Sequence, residues 1–93
     1  MSSDFVLVRT RWAGVHCGIV EDRRQGYIKL SEARRVWRWR GANTLHELSL
    51  RGAAQEYTRI SEPVQEIELD TVIEVIPCTS EARLDLEKSR WGA

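Results

Sequence analysis

The chain has 93 residues, and its 14 Lys and Arg are balanced by 14 Asp and Glu, so the formal net charge is zero. This length predicts a single domain, residues 1–93, with a small core, and oligomerisation is a common way for such proteins to bury more surface. Zero net charge argues against a general DNA-binding protein, because affinity for DNA scales with the number of phosphates that basic residues neutralise.

Four short β-strands are predicted in the first part of the chain, at residues 4–11, 15–20, 27–30 and 33–41. Polar turns and glycines separate them. Gly18 lies within the second strand, where a glycine often marks a bulge or a close approach of two backbones. Because the connections are tight, we expect these strands to form an antiparallel meander.

A short helix is predicted after the fourth strand. Asn43 or Thr44 supplies its N-cap, because Thr44-Leu45-His46-Glu47 has the form of a capping box. Gly52 supplies the C-terminal stop, since glycine readily adopts the left-handed conformation that ends many helices.

The second half of the chain predicts further strands and a second helix. A short strand is possible at residues 57–60, and residues 64–69 alternate between apolar and acidic side chains. Residues 72–76 are nearly all β-branched, which predicts a central strand covered on both faces. Thr79 is expected to cap a helix over residues 80–88. The sequence therefore predicts an α+β fold: a small bent antiparallel sheet or partial barrel of about five to six strands with two short helices.

Four arginines and two tryptophans crowd the fourth predicted strand. Successive strand residues point to opposite faces, so the segment divides into two sets. One set is Arg35, Trp37 and Trp39, and the other is Arg34, Val36, Arg38 and Arg40. Guanidinium groups bind phosphates and carboxylates, and tryptophan rings stack on bases, so the segment suits an anionic aromatic ligand such as a nucleotide. The alternative is a core strand with a salt-bridged surface.

A ligand site can be built around this strand. Arg9 and Arg11 share a face of the first strand, and their guanidinium groups would converge with those of the fourth strand if the two strands were neighbours. The helix start offers free amide donors to an anion. The predicted ligand-binding residues are Arg9, Arg11, His16, Arg34, Arg35, Trp37, Trp39, Arg40, Asn43 and Thr44.

Charge is divided unevenly along the chain. Residues 1–60 carry eleven Lys and Arg against six Asp and Glu, whereas residues 61–93 carry three against eight. The acidic part can therefore neutralise the basic part, which is the alternative to an anionic ligand. Glu74 lies inside an apolar strand and should be paired or point outward, and an arginine of the basic strand is an available partner.

No spacing in the sequence indicates catalysis or metal binding. His16 and His46 belong to no nucleophile, phosphate-loop or zinc motif, and Cys17 and Cys78 lack the short paired spacing of zinc ligands. We therefore expect a protein that is not an enzyme, with no catalytic residues, no metal and no cofactor.

The cysteines and the first apolar run bear on the cellular compartment. Cys17 and Cys78 lie in apolar strand-like segments, so we expect structural free thiols of a reduced cytoplasm, with one disulfide as the alternative. The first apolar run, Phe5–Val8, is too short for a signal peptide or a membrane span. We interpret the chain as a soluble intracellular protein.

An ordered set of short motifs resembles a family of small uncharacterised phage and prophage proteins over about residues 5–82. The motifs are Arg9-Thr10, Ala13-Gly14-Val15-His16, Gly18, Ala33-Arg34-Arg35, Trp37, Trp39, Gly41-Ala42, Thr44-Leu45, Leu48 and Ile73-Glu74-Val75-Ile76-Pro77-Cys78-Thr79. The chain departs from that pattern at Arg11-Trp12, where tyrosine and serine are more usual, and at Arg38, where an aromatic residue is more usual. The resemblance implies a viral or prophage source and the cytoplasm of a bacterial host, and it brings no assigned activity.

Small phage proteins without catalytic residues often inhibit host systems, and one type is an oligomeric sponge that sequesters nucleotide immune signals. By that analogy, we expect a homo-oligomer that binds a small nucleotide-like anion. The alternatives are a module that docks on a host protein and, less favoured by the zero net charge, a single-stranded nucleic-acid binder. No membrane partner is expected.

Overall fold

The computed structural model of the protein describes residues 4–38, 44–52 and 58–88. These residues form an antiparallel sheet of six strands and two short helices, as the predicted α+β class requires. The strands are β1 (Phe5–Thr10), β2 (Val15–Arg24), β3 (Tyr27–Arg38), β4 (Arg59–Ile60), β5 (Val64–Asp70) and β6 (Val72–Pro77), and the helices are α1 (Leu45–Arg51) and α2 (Ser80–Leu86).

The strand order is β4-β3-β2-β1-β6, and β5 also pairs with β3. The long strand β3 accommodates both partners, because β5 pairs with its first part and β4 with its end. The sheet is open: among the described strands, β6 forms one edge and β4 and β5 form the other.

Apolar side chains cover both faces of the sheet. On one face, Leu7, Cys17 and Val36 pack against Leu48 of α1 and Leu86 of α2, and all five are buried. We call this the helix face. Alternation along each strand assigns these residues to one side of the sheet, and the helices cover that side.

The second face carries its own core. It is built by buried residues of β1, β3 and β5, namely Val6, Val8, Ile28, Leu30, Ala33 and Leu69. Neither α1 nor α2 contributes a residue to this cluster, so the sheet itself must bend to enclose it. Irregular pairing between β2 and β3 supplies that bend, because the register shifts between Cys17 and Ile19 and again between Val20 and Asp22.

Gly18 lies at the first of these shifts, as expected for a glycine within a strand. A Cβ atom at this position would be 3.0 Å from the Ser31 carbonyl oxygen and 3.2 Å from the Ala33 Cα. Opposite this point, Glu32 adopts a left-handed conformation with φ of +47°. The two backbones therefore approach too closely at this bend for a side chain at residue 18 to fit without displacement.

Two predicted strands are one strand in the structure. The prediction ended a strand at Leu30 and began another at Ala33, but β3 runs without a break from Tyr27 to Arg38. The residues between them were predicted to form a connection, whereas Ser31 pairs with Ile19 of β2 and with Glu66 of β5, and Ala33 pairs with Val64 of β5. For the same reason β2 extends to Arg24, beyond the predicted end at Val20.

The prediction of a central strand at residues 72–76 is wrong in position. β6 pairs only with β1 and is an edge of the described sheet. The predicted coverage of both faces is found, since Ile76 packs on the helix-face core, and Val72 and Val75 pack on the second core. Ile73 occupies the irregularity opposite Arg9 and Thr10 and is 57% exposed.

The predicted helix caps are confirmed. The Thr44 hydroxyl accepts a hydrogen bond from the Glu47 amide at 3.2 Å, and Gly52 ends α1 with φ of +79°. The Thr79 hydroxyl accepts from the Ala82 amide at 3.1 Å and donates to the Leu50 carbonyl at 2.6 Å. Thr79 therefore caps α2 and ties it to α1. Neither of these two helices has the length and apolar character needed to cross a membrane.

Candidate functional site

Alternation along β3 divides the predicted ligand residues between the two faces of the sheet. Val36 is 1% exposed within the helix-face core. Arg34 therefore lies on the helix face, and Arg35 and Trp37 lie on the second face. The predicted division of this segment is confirmed for these residues, whereas Trp39 and Arg40 lie outside the described residues.

On the helix face, the predicted arginines have partners within the protein. Arg9 Nε lies 3.5 Å from Glu74 Oε1, and Arg34 Nη1 donates to the Ser61 carbonyl at 3.4 Å. Glu74 is paired, as predicted, but its partner comes from β1 and not from the basic strand, because the register places Arg9 opposite Glu74. The predicted convergence required β1 and β3 to be neighbours, and β2 lies between them.

On the second face, two of the predicted residues, His16 and Arg35, lie together beside the connection between β1 and β2. His16 is directly opposite Arg35 in the β2–β3 pairing. The Arg35 guanidinium lies over Gly14, where Nη2 would be 3.2 Å from a Cβ atom. We give the name hairpin surface to this pair, to Trp37 on the same face, and to the exposed residues Arg11 and Trp12 of the β1–β2 connection.

The hairpin surface combines exposed indole rings with guanidinium groups. Trp12 is 77% exposed and Trp37 is 48% exposed, and the Arg11 guanidinium carbon lies 5.2 Å from the centroid of the Trp12 ring. Within residues 4–38, 44–52 and 58–88, no carboxylate oxygen lies within 4.0 Å of the Arg11 or Arg35 guanidinium. Arg11 and Arg35 can therefore each offer a positive charge to an anion.

His16 is the buried member of the hairpin surface. Its side chain is nearly enclosed, and Nε2 lies 2.9 Å from the Ala13 carbonyl oxygen. Burial lowers the pKa of His16, the hydrogen bond to Ala13 opposes this shift, and the positive charge of Arg35 lowers the pKa further. The ring is therefore neutral at pH 7, and an anion beside Arg35 would favour its protonation.

The remaining predicted ligand residues belong to the start of α1. Thr44 is exposed and its hydroxyl already accepts from the Glu47 amide, while Asn43 lies outside the described residues. Because α1 packs on β1 and β6 at the helix face, Thr44 belongs to a different side of the sheet from Arg35.

A family model described as a domain of unknown function (DUF6948) matches residues 3–86, which is most of the chain. The chain belongs to this family. The expected membership of an uncharacterised family is thereby confirmed. No curated protein and no solved structure matches the chain.

The DUF6948 domain also contains a groove that the sequence analysis missed. It has a volume of about 420 Å³ and lies between the β2–β3 turn, residues 23–27, and β6, residues 72–75. Sequence reasoning assigned the first of these segments only to a polar turn. The signal available in this segment was a pair of consecutive arginines, Arg23 and Arg24, shortly before Gly26. The sequence could not show that the bend of the sheet brings this turn against β6.

Both cysteines of the DUF6948 domain are free thiols, as expected. Burial raises the pKa of Cys17 to about 12, with a further contribution from the nearby Cys78. Burial also raises the pKa of Cys78 to about 12. Thiols with these pKa values stay protonated at neutral pH and are poor nucleophiles. Within the described residues, no three His, Cys, Asp or Glu side chains are grouped so that they could hold a metal ion.

Proposed function

We propose that this DUF6948 protein is a non-enzymatic phage accessory protein that binds a small, anionic, nucleotide-like ligand at the hairpin surface. In this proposal it acts as a homo-oligomer in the cytoplasm of the bacterial host, where sequestering the ligand counters defence signalling. Arg35 and Arg11 contact the phosphates, and Trp37 and Trp12 provide rings on which a base can stack.

One observation carries the proposal. The Arg35 guanidinium lies over Gly14 beside the buried His16, with no carboxylate within 4.0 Å in the described part of the chain. An exposed guanidinium group without an acidic partner can form charge-assisted hydrogen bonds with an anion. The exposed indoles also give the apolar area that an interface between copies would bury.

Isothermal titration calorimetry against nucleoside mono- and diphosphates, cyclic nucleotides and ADP-ribose tests the proposal. We expect one class of compound to bind at submillimolar concentration, with the affinity reduced about tenfold or more in Arg35→Ala, because a charge-assisted contact is lost. Arg51→Ala is the matched control, since Arg51 is an exposed arginine of α1 that pairs with Glu47. It should bind like the wild type.

Two outcomes would end this proposal. One is the lack of any binding heat across the panel with a folded sample, and the other is equal affinity in Arg35→Ala and Arg51→Ala. Light scattering after size-exclusion chromatography tests the oligomer separately, and a monomer at micromolar concentration would remove that part.

A second candidate is a module that docks on a host protein. The observation that favours it is Trp12, which is 77% exposed at the tip of the β1–β2 connection, because tryptophan is enriched at the centres of protein interfaces. Trp12→Ala should then abolish capture of one specific host protein, while nucleotides have no effect on that capture.

A further inference from the structure

The groove beside β6 is a second place where this chain can hold a ligand. Its volume of about 420 Å³ falls within the range of small-molecule sites, and its two walls come from the β2–β3 turn and from residues 72–75. It shares no residue with the hairpin surface.

The hydrogen-bond pattern of β6 shows which backbone groups face this groove. The Cys78 amide donates to the Phe5 carbonyl at 2.9 Å, and the register continues through Leu7 with Ile76 and Arg9 with Glu74. In an antiparallel pair, every second residue turns its N–H and C=O away from the partner strand. The Val75 amide therefore points away from β1, towards the groove that Val75 lines.

The edge of β6 is poorly suited to adding another strand. The amide of Val72 is already occupied, because it donates to the Gly26 carbonyl at 3.2 Å, and Pro77 has no amide hydrogen to donate. The chain is also irregular at Ile73. A proline, an irregularity and a covering turn are features that protect sheet edges from pairing, so the groove suits a compact ligand better than an extended peptide.

The charges around the groove leave a positive excess. Arg24 contacts two neighbouring side chains. Its Nη2 lies 3.2 Å from Oδ2 of Asp22, and its guanidinium carbon lies 4.4 Å from the centroid of the Tyr27 ring. Glu74 is compensated by Arg9. The Arg23 guanidinium has no carboxylate oxygen within 4.0 Å in the described residues.

We propose that the groove between the β2–β3 turn and β6 binds a small phosphate monoester. Arg23 and Arg24 contact the phosphate together with the Val75 amide, because phosphate oxygens accept several charge-assisted hydrogen bonds at once. Ile73, exposed beside these groups, contacts the apolar part of the ester.

Titration of the ¹⁵N-labelled protein with phenyl phosphate tests this site by NMR. We expect saturable shifts of the amides of Gly26, Ile73 and Val75, weaker saturation with inorganic phosphate, and none with phenol. The double variant Arg23→Ala/Arg24→Ala should weaken phenyl phosphate binding about tenfold or more. The double variant Arg51→Ala/Lys88→Ala removes the same charge from two exposed positions, one in α1 and one after α2, and should bind like the wild type.

Three outcomes overturn the proposal: no saturable shift at these amides, equal weakening in the two double variants, or saturation by phenol alone. Circular dichroism confirms that each variant is folded before its affinity is compared. Arg35→Ala separates the two sites, because it removes a group of the hairpin surface and leaves the groove intact. Retained binding of phenyl phosphate in Arg35→Ala supports an independent site, whereas its loss assigns the shifts to the hairpin surface.

Discussion

His16 is a titratable side chain in a place that opposes its charged form. It is enclosed between strands, its Nε2 lies against the Ala13 carbonyl, and Arg35 is its direct neighbour across the β2–β3 pair. The Thr10 hydroxyl fixes the loop that provides this carbonyl, since it accepts from the Ala13 amide at 2.8 Å and donates to the Gly14 carbonyl at 3.0 Å. The neutral imidazole therefore helps to hold the β1–β2 connection against β2.

We predict that protonation of His16 destabilises the fold. Because its pKa is lowered from 6.5, the unfolded chain binds the proton first as the pH falls. The free energy of unfolding should therefore decrease as the pH falls below about 7 towards the folded pKa, by up to about 1.4 kcal/mol per pH unit. At pH values above the unfolded pKa, this contribution to stability is fully present.

Urea unfolding between pH 5 and 8, for the wild type and for His16→Gln, measures this contribution. Glutamine keeps a polar side chain but does not titrate, so carboxylate effects are common to both proteins and cancel in the comparison. Parallel stability curves for the two proteins would contradict the prediction.

At the scale of elements, the junction of the two helices depends on a residue without a side chain. Gly52 ends α1 at φ of +79° and ψ of −161°, a region that is open almost only to glycine. A Cβ atom there would lie 2.5 Å from Asp85 Oδ2 and 2.6 Å from Asp85 Cβ. Because the Cβ of Asp85 is also involved, rotation of its carboxylate cannot relieve the contact.

We predict that Gly52→Ala is far more destabilising than Gly26→Ala. Gly26 also has a positive φ, of +71°, but nothing lies within 4 Å of its Cβ position, so its variant measures backbone strain alone, about 1 kcal/mol. Gly52→Ala adds the overlap with Asp85, and overpacking of this kind costs roughly 1–3 kcal/mol more. Urea unfolding of both variants gives the difference, and equal losses of stability would show that α2 moves away without cost.

The local elements could be predicted from the sequence to different degrees. Both helix caps follow from short-range chemistry, since Thr44 and Thr79 each bind an amide three residues ahead. The continuity of β3 through Glu32 could not be predicted, because it depends on the pairing of the neighbouring residues, Ser31 with β2 and β5 and Ala33 with β5. The edge position of β6 is likewise set by distant pairing, which local composition does not reveal.

The candidate site could likewise be predicted only in part from the sequence. The period of two along β3 predicted correctly that Arg35 and Trp37 share a face opposite to Val36. The strand order could not be read from that period, so Arg9 was expected to converge with the β3 arginines although β2 lies between them. Arg23 and Arg24 were overlooked because their groove exists only where the bent sheet brings the β2–β3 turn against β6.

At the scale of the whole molecule, one sheet supports two cores on its opposite faces. The helix-face core has two helices as its cover, whereas the second core depends on the bend between β2 and β3. The amide of Val72 binds the Gly26 carbonyl and the amide of Arg11 binds the Thr71 carbonyl at 3.0 Å. These bonds tie the bent half of the sheet to its other end, beside both proposed ligand sites.

We predict that substitutions at this bend have opposite effects on stability. Gly18→Ala should lose roughly 1–3 kcal/mol, because its Cβ meets backbone atoms of β3 that cannot yield easily. Glu32→Asn should gain up to about 1 kcal/mol, since asparagine tolerates the left-handed φ of +47° better than glutamate and Glu32 is exposed.

Hydrogen exchange of Gly18→Ala should be faster at Ile28, Leu30 and Leu69, while Leu7 and Cys17 keep their protection. Uniform loss of protection across both cores would mean that the bend is inseparable from the rest of the sheet, and an unchanged stability in Gly18→Ala would contradict the steric argument.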